Sequence, residues 1–294
     1  MQDNIAIEPL VSVCLPAYNR IEKLKIAIKK LQEQTYTNLE IIVSDNCSTD
    51  NTENICKELQ KEDHRIKYFR QSNNVGPTAN FEFAKNKAEG KYFLWHGDDD
   101  YLDKEYVKVC IDELEKDSSY VLVSGLAAYR YFGKGDITHH GNIIQPNSDN
   151  PILRVVKYLW NVQENSIFCG AYRVNELNES YMPNVLAGDW IWMSKVLLKG
   201  KAKVIDNIYV NRSFGDSASV SYEKIIELIG SPKWHAKYPW LAMSKNFLSF
   251  YIQDKNILIG IISFIVIFVK GSWSNFKKYS KLGVVKKSLK KMFL

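Results

Sequence analysis

The sequence predicts an α/β fold: a doubly wound, mostly parallel central sheet with helices on both faces. Three observations predict it. Short apolar runs alternate, over about the first hundred positions, with segments whose apolar residues recur at three- and four-residue steps. Each apolar run ends in a turn rich in Pro, Gly, Asn or Asp. Strand, amphipathic helix, strand in that order is the pattern of βαβ units, whose right-handed crossovers put helices on both faces. At 294 residues, 46% of them hydrophobic, the chain has the apolar content to fill a large core.

The elements follow in chain order. Val11–Leu15 reads as a strand closed by Pro16, and Ile21, Leu24, Ile28 and Leu31 form the stripe of a helix reaching Gln34. Leu39–Val43 is the second strand. Asp50-Asn-Thr52 offers N-cap chemistry to a helix carrying Ile55 and Leu59. Ile66–Phe69 is a third strand, and the polar loop Ser72–Thr78 leads to a helix bearing Phe81, Ala84 and Ala88, ended by Gly90. Tyr92–Trp95 is the fourth strand. Beyond it the sequence predicts a helix over Lys104–Lys116, a strand at Tyr120–Ser124 and a loop over Phe132–Asn150. A strand at Ile167–Tyr172, a helix at Val185–Leu198 and a strand at Lys203–Tyr209 follow.

Parallel strands put their C-terminal tips on one edge of the sheet, where ligands of open α/β folds bind. Tyr18-Asn19, Asp45-Asn46 and Asp98-Asp-Asp100 are the tips here. Three adjacent carboxylates cannot all be buried unpaired, and a hard cation such as Mg²⁺ or Mn²⁺, which binds oxygen and bridges substrate phosphates, would neutralise them. The alternative is an acidic turn capping the next helix. His96, beside the cluster, is either a substrate contact or a strand-end residue.

Several chemistries are excluded. There is no G-x-x-x-x-G-K-[ST], no G-x-G-x-x-G after the first strand and no G-x-S-x-G. The five cysteines form no C-x-x-C pair, which reads as free thiols in a reducing compartment. Residues 1–10 do not read as a signal peptide. The net charge of +6 is a C-terminal property: residues 270–294 hold eight lysines and no acidic residue, and the rest is mildly acidic. A uniformly basic nucleic-acid surface is therefore not expected.

The motifs Val11-Ser-Val-Cys-Leu-Pro-Ala-Tyr-Asn19, Gln34-Thr-Tyr36, Leu39-Glu-Ile-Ile-Val-Ser-Asp-Asn-Cys-Ser-Thr-Asp-Asn-Thr52, Asn74-Val-Gly76, Ala88-Glu-Gly90 and Gly97-Asp-Asp-Asp-Tyr-Leu102 occur in one order. Together they closely resemble family 2 glycosyltransferases of the GT-A fold, and the likeness fades after Ser124 and returns at Ala187-Gly-Asp-Trp190. The resemblance implies that Pro16, Ala17, Tyr18 and Asn19 line a nucleotide pocket and that Asp45 and Asn46 read the base, most often uracil. It implies that Asp98–Asp100 correspond to the D-x-D region, with Asp99 as the main metal ligand, Asp98 and Asp100 in support, and Asp98 also on the nucleotide side. The family's usual first Asp is Gly97 here. Asp189 resembles the catalytic base, where the customary Glu-Asp pair is Gly188-Asp189. Its other reading is a helix N-cap. Arg212, in Arg212-Ser-Phe-Gly-Asp216, is a candidate clamp on the diphosphate, or else a surface arginine.

The implied reaction is inverting transfer of a sugar from a nucleotide-sugar donor to an acceptor hydroxyl, one sugar per encounter because the Q-x-x-R-W of processive synthases is absent. The competing readings are a non-catalytic nucleotide-sugar or glycan-binding protein of this fold, and a nucleotidyltransferase. Ile257–Val269 is a 13-residue apolar run, too short for an ordinary span and read as a buried helix or a shallow insertion. Phe276, Tyr279, Leu282, Val285, Leu289 and Met292-Phe293 follow at helical steps among the lysines, the pattern of a basic amphipathic helix on an anionic membrane. The expected organisation is a glycosyltransferase domain over residues 1–216, with a nucleotide-sugar half to about 103 and an acceptor half from about 104, then a basic helical region over 217–294. The expected location is the cytoplasmic face of the cell membrane, held peripherally, and the expected acceptor is a glycan, including a polyprenyl-linked one.

Overall fold

The structure, a computed structural model, describes residues 8–131, 135–177, 180–214 and 221–281. By contact density the chain divides into two units, one of Met1–Asn184 with Gly188–Ser221 and the other of Val185–Ala187 with Tyr222–Leu294.

The first unit begins with three βα repeats: β1 (Val11–Ala17), α1 (Ile21–Gln32), β2 (Leu39–Asp45), α2 (Thr52–Glu62), β3 (Ile66–Arg70) and α3 (Pro77–Asn86). Then come β4 (Tyr92–Trp95), β5 (Tyr101–Leu102), α4 (Tyr106–Lys116), β6 (Tyr120–Tyr131), β7 (Ile137–His140), α5 (Pro151–Asn161), β8 (Ala171–Arg173), α6 (Gly188–Lys199) and β9 (Lys201–Phe214). The sheet order is β3-β2-β1-β4-β8-β6-β9-β5, with β7 paired to β6. The strands β3, β2, β1 and β4 run parallel, β8 is antiparallel to both its neighbours, and β6 and β9 are parallel. Every residue of β2 is buried, as expected of a strand covered on both faces. Val13, Leu15, Leu24, Ile28, Ile41 and Leu94 lie at the centre of the core.

The parallel register places the strand tips together. Ala17 is opposite Asp45, the Asn46 N–H donates to the Ala17 carbonyl at 2.9 Å, and the His96 N–H donates to the Cys14 carbonyl at 3.0 Å. The expected common edge is therefore present.

Four sequence expectations change. The Ile167–Tyr172 strand is instead a 3₁₀ turn at Ser166–Cys169 followed by β8. The Glu164 carboxylate accepts from the Ser166 N–H at 3.0 Å and the Ser166 hydroxyl at 2.8 Å, which starts the turn, and an apolar run alone does not reveal that. The Tyr120–Ser124 strand continues to Tyr131, and part of the expected loop is β7, whose residues are largely solvent-facing and so carry no apolar run. Helix α5 has no counterpart in the expected elements, although Asn150 caps it, accepting from the Ile152 N–H at 2.9 Å and the Leu153 N–H at 3.2 Å. The helix expected from Val185 starts at Gly188, because Ala187 adopts a positive φ of 63°.

The second unit holds α7 (Tyr222–Leu228), α8 (Trp234–Lys237), α9 (Pro239–Gln253) and α10 (Ile257–Lys281). Gly260 of α10 lies against Tyr251 and Gly271 against Trp240, so α9 and α10 pair antiparallel. The 13-residue apolar run and the start of the basic segment are thus one continuous helix, and its stretch Ile257–Ser274 is long and apolar enough to cross a membrane. Residues 282–294 of the expected basic amphipathic helix lie outside the described residues, as do Gly215 and Asp216.

Candidate active site

The turn after β1 is laced to the turn after β2. Asn19 takes a positive φ of 52°, a conformation asparagine tolerates. Its N–H donates to the Ser48 hydroxyl at 2.9 Å, and its side-chain oxygen accepts from the Thr49 N–H at 2.7 Å. Asp50 accepts from the Ile21 N–H through one oxygen and from the Thr52 N–H through the other, both at 3.1 Å, so it serves the first turns of α1 and α2 together. Around this bracket Ala17 is buried, Pro16 is partly buried, and Tyr18 stands exposed at the rim.

Asp45 is fully buried. One of its oxygens accepts from the Ser48 N–H at 2.8 Å, and the other accepts from the Tyr68 hydroxyl at 2.6 Å and an Arg70 N–H at 2.9 Å. Asn46 donates to the Asn74 side-chain oxygen at 2.9 Å and accepts from the Val75 N–H at 2.8 Å. The Asn74-Val-Gly76 motif is therefore the brace that orients Asn46.

Asp98 and Asp100 are 7% and 6% exposed. One Arg20 nitrogen donates to both Asp98 and Asp99, each at 3.1 Å. Arg212 reaches Asp100 at 3.3 Å. Burial pushes the Asp98 carboxyl up to about 6, against the opposing pull of Arg20, and burial likewise raises Asp100 against Arg212. Asp100 in turn raises the Arg212 guanidinium. Two arginines thus offset the cluster only in part. His96 is 1% exposed, and burial pushes it down to about 4, so it is neutral. Its Nδ1 lies 2.6 Å from the Gly97 carbonyl, while its Nε2 is buried without a hydrogen-bond partner, so both readings of His96 stay open.

Gly97 explains how the carboxylates converge. A Cβ at this position would meet an Asp100 oxygen at 2.9 Å and an Asp99 oxygen at 3.4 Å, so the missing side chain opens the cradle into which both fold. Among the described residues no group of three or more His, Cys, Asp or Glu side chains is arranged to hold a metal ion by itself. Mg²⁺-type sites are usually completed by one or two carboxylates plus substrate phosphates, and the oxygen-only donors over Gly97 fit that requirement.

Asp189 occupies the first turn of α6, not its N-cap, with its carboxylate at the positive end of the helix. Gly188 is pressed against Pro183: a Cβ there would stand 2.0 Å from the Pro183 carbonyl oxygen. That contact is the local reason why glycine takes the place of the customary glutamate. The Asn165 amide donates to one Asp189 oxygen at 2.8 Å, and the Tyr158 hydroxyl donates to the Asn165 side-chain oxygen at 2.8 Å. Burial raises the Asp189 carboxyl, while the Asn165 bond, the Trp190 and Asp189 backbone N–H groups and the charge of Arg212 oppose it. Arg212 therefore acts on Asp100 by contact and on Asp189 by its field. It also pairs in register with Tyr129, whose hydroxyl donates to Glu164 at 2.8 Å. Arg212 is thus a partly buried arginine in contact with Asp100.

The structure brings Arg212 to the acid cluster and Asn165 to Asp189, and ties Asp45 and Asn46 to the edge shared by the strand tips. Sequence reading missed Arg20, Tyr158, Glu164 and Asn165. Arg20 directly follows the Tyr18-Asn19 motif and was there to be found, whereas Asn165 and Glu164 carry no local signal.

Residues 12–179 match the family described as Glycosyl transferase family 2. Over 95 residues the chain is 43% identical to GalNAc(5)-diNAcBac-PP-undecaprenol beta-1,3-glucosyltransferase of Campylobacter jejuni, covering 32% of this chain and 31% of that one. The chain spans under a third of the length of the first two curated relatives it matches. Among solved structures, S. aureus TarS 1–349 in complex with UDP-GlcNAc superimposes with a TM-score of 0.58 at 21% identity, over 82% of this chain and 73% of that one. Mannosyltransferase PcManGT from Pyrobaculum calidifontis, in complex with GDP-Man and Mn²⁺, gives a TM-score of 0.57 at 14% identity, over 98% and 84%. The likeness to these structures is one of fold, the GT-A fold. With the match spanning more than half of its residues, the chain belongs to glycosyl transferase family 2.

Proposed function

We propose that this protein transfers one sugar, with inversion, from a UDP-sugar to a hydroxyl of a glycan or lipid-linked glycan during surface-glycan assembly, at the cytoplasmic face of the membrane. Family membership supports the reaction class. The polyprenyl-linked substrate in the name of the C. jejuni relative supports the acceptor class, and the UDP-GlcNAc held by TarS supports the donor class. The observation that carries the mechanism is Asp189: a partly buried carboxylate in the first turn of α6 with one oxygen fixed by Asn165.

Pro16, Ala17, Tyr18 and Asn19 form one wall of the nucleotide pocket, and Asp45 and Asn46, held rigid by Arg70 and Asn74, read the base. Asp99, with Asp98 and Asp100, would hold the Mg²⁺ or Mn²⁺, which supplies charge neutralisation to the diphosphate leaving group. Arg212 adds a fixed positive charge beside that group. The acceptor hydroxyl oxygen forms a bond to the anomeric carbon as the bond to the diphosphate oxygen breaks. Asp189 takes the hydroxyl proton from the face opposite the leaving group, which gives inversion.

Asp189→Asn tests this reading. Turnover of UDP-sugars should fall by roughly 10²–10⁴-fold, the usual worth of a general base, while calorimetry should still show UDP binding with Mn²⁺. Undiminished turnover removes Asp189 from the mechanism. Release of pyrophosphate in place of UDP converts the reading to nucleotidyl transfer, and binding without turnover of any nucleotide sugar makes the protein a binding module.

A further inference from the structure

Helix α10 is two-faced in a way the sequence alone does not reveal. Its inner face is committed to α9: Ile259, Ser263 and Ile267 are buried, and Gly260 and Gly271 sit against Tyr251 and Trp240. Its outer face exposes Leu258, Ile261, Ile265, Phe268, Val269 and Trp273 at three- and four-residue steps, with Leu258 61% and Trp273 56% exposed. Only 28% of the stretch Ile257–Ser274 is buried, at a mean hydropathy of 2.0. This is the opposite of a core helix, whose apolar surface is covered. A continuous exposed apolar stripe on a folded unit marks an interaction surface.

The chemistry of the occupant follows from charge. The stripe runs directly into residues 270–294, which hold eight lysines and no acidic residue. A second copy of this chain would bring its own lysine row against the first, and the two would repel. An anionic bilayer presents the complementary sign at the surface and an apolar interior below it. Trp273, near the end of the stripe, is the residue type favoured at that boundary.

The orientation follows from α9. Its exposed residues are the polar Lys245, Ser249 and Gln253 together with Leu241 and Ile252, and the Lys245 ammonium lies 5.7 Å above the Trp234 ring. Because α10 is packed on α9, a spanning α10 would drag these polar residues into hydrocarbon, where unpaired polar groups are costly. A hairpin lying flat avoids that cost: α10 faces the acyl chains while Lys245, Ser249 and Gln253 of α9 stay in water.

We propose that the α9–α10 hairpin docks on an anionic lipid surface through the outer face of α10, with the helix axis in the plane of the interface. The contact is thus an apolar stripe over residues 258–273, assisted by the lysines, and not the lysine-rich segment alone. The inference stands independently of the active-site chemistry.

The full chain is sedimented with vesicles of phosphatidylcholine alone and of phosphatidylcholine with phosphatidylglycerol in equal amounts. Wild-type protein should bind the anionic vesicles more tightly and be released by alkaline carbonate. The double variant Ile261→Asp, Ile265→Asp should lose at least about tenfold in vesicle affinity with its helical circular dichroism and its solution UDP–Mn²⁺ binding unchanged. Trp273→Phe, which keeps the stripe apolar, should keep binding but lose most of the fluorescence quenching by lipids brominated near the headgroup. Equal sedimentation of the double variant and wild type overturns the proposal. So does resistance to carbonate, which means a spanning helix, or a dimer that forms without vesicle binding, which means a second copy. Loss of UDP–Mn²⁺ binding in wild type would refute the active-site reading and leave this one standing.

Discussion

Asn165 gives the candidate base its character. Its amide N–H stabilises the charged form of Asp189 more than the neutral one, so it pulls the carboxyl down against the burial that raises it. Tyr158 holds the Asn165 oxygen, which leaves the amide nitrogen aimed at Asp189. A general base must be ionised, so kcat/KM should fall as pH drops through the Asp189 pKa, which burial raises from the ordinary aspartate value. Asn165→Ala removes a stabiliser of the charged form, and the acidic limb of the pH–rate profile should move to higher pH. A drop in kcat of about tenfold with little change in KM is expected, in the range of a lost positioning contact. A pH profile that does not move would make Asn165 a packing residue. Gly97 works at the same scale by omission. In place of a carboxylate the chain has a gap, and Asp99 and Asp100 turn into it.

At the scale of elements, the edge formed by the strand tips is held both by β3, through Tyr68 and Arg70 on Asp45, and by the loops. Asp50 receives N–H groups from the first turns of two helices, each of which would otherwise leave a donor unpaired. Asp50→Ala should lower stability by about 1–2 kcal/mol, the usual worth of a cap, read as a fall in the urea midpoint at constant slope. Asp50→Asn, which keeps one acceptor, should recover part of that loss. The same tips show what periodicity reveals and what it misses. The alternation through Trp95 locates β1 to β4 closely, because β1, β2 and β4 are almost wholly buried and the edge strand β3 still begins with the buried Ile66. Beyond Ser124 the strands mix direction and β7 lies largely in solvent, so apolar runs no longer mark them. The turn at Ser166–Cys169 depends on the Glu164 carboxylate, a contact that spacing does not encode.

For the whole molecule, the balance of charge at the acid cluster couples ligand binding to stability. Arg20 and Arg212 answer the three carboxylates only in part, and Asp98 is pushed up to about 6. A divalent cation would add positive charge beside these carboxylates in the folded state alone, and a diphosphate would bind through it. UDP with Mn²⁺ at 100 times its dissociation constant should therefore add about 2.7 kcal/mol, a rise of roughly 5–10 °C in the calorimetric transition. No rise with UDP and Mn²⁺ together would remove the metal–diphosphate site. The residue types, their order and the alternation of βα units are written in the chain, since side-chain chemistry and hydrophobic period are local properties. That is why the first four strands, the acid cluster and Asp189 were legible. Which arginine answers which carboxylate, that Asn165 and Tyr158 stand behind Asp189, and that α10 turns its apolar side outward are set by packing. They join residues far apart in the chain, such as Arg20 with Asp98 and Asn165 with Asp189. Distance along the chain carries no information about such pairs until the sheet brings them within hydrogen-bond reach.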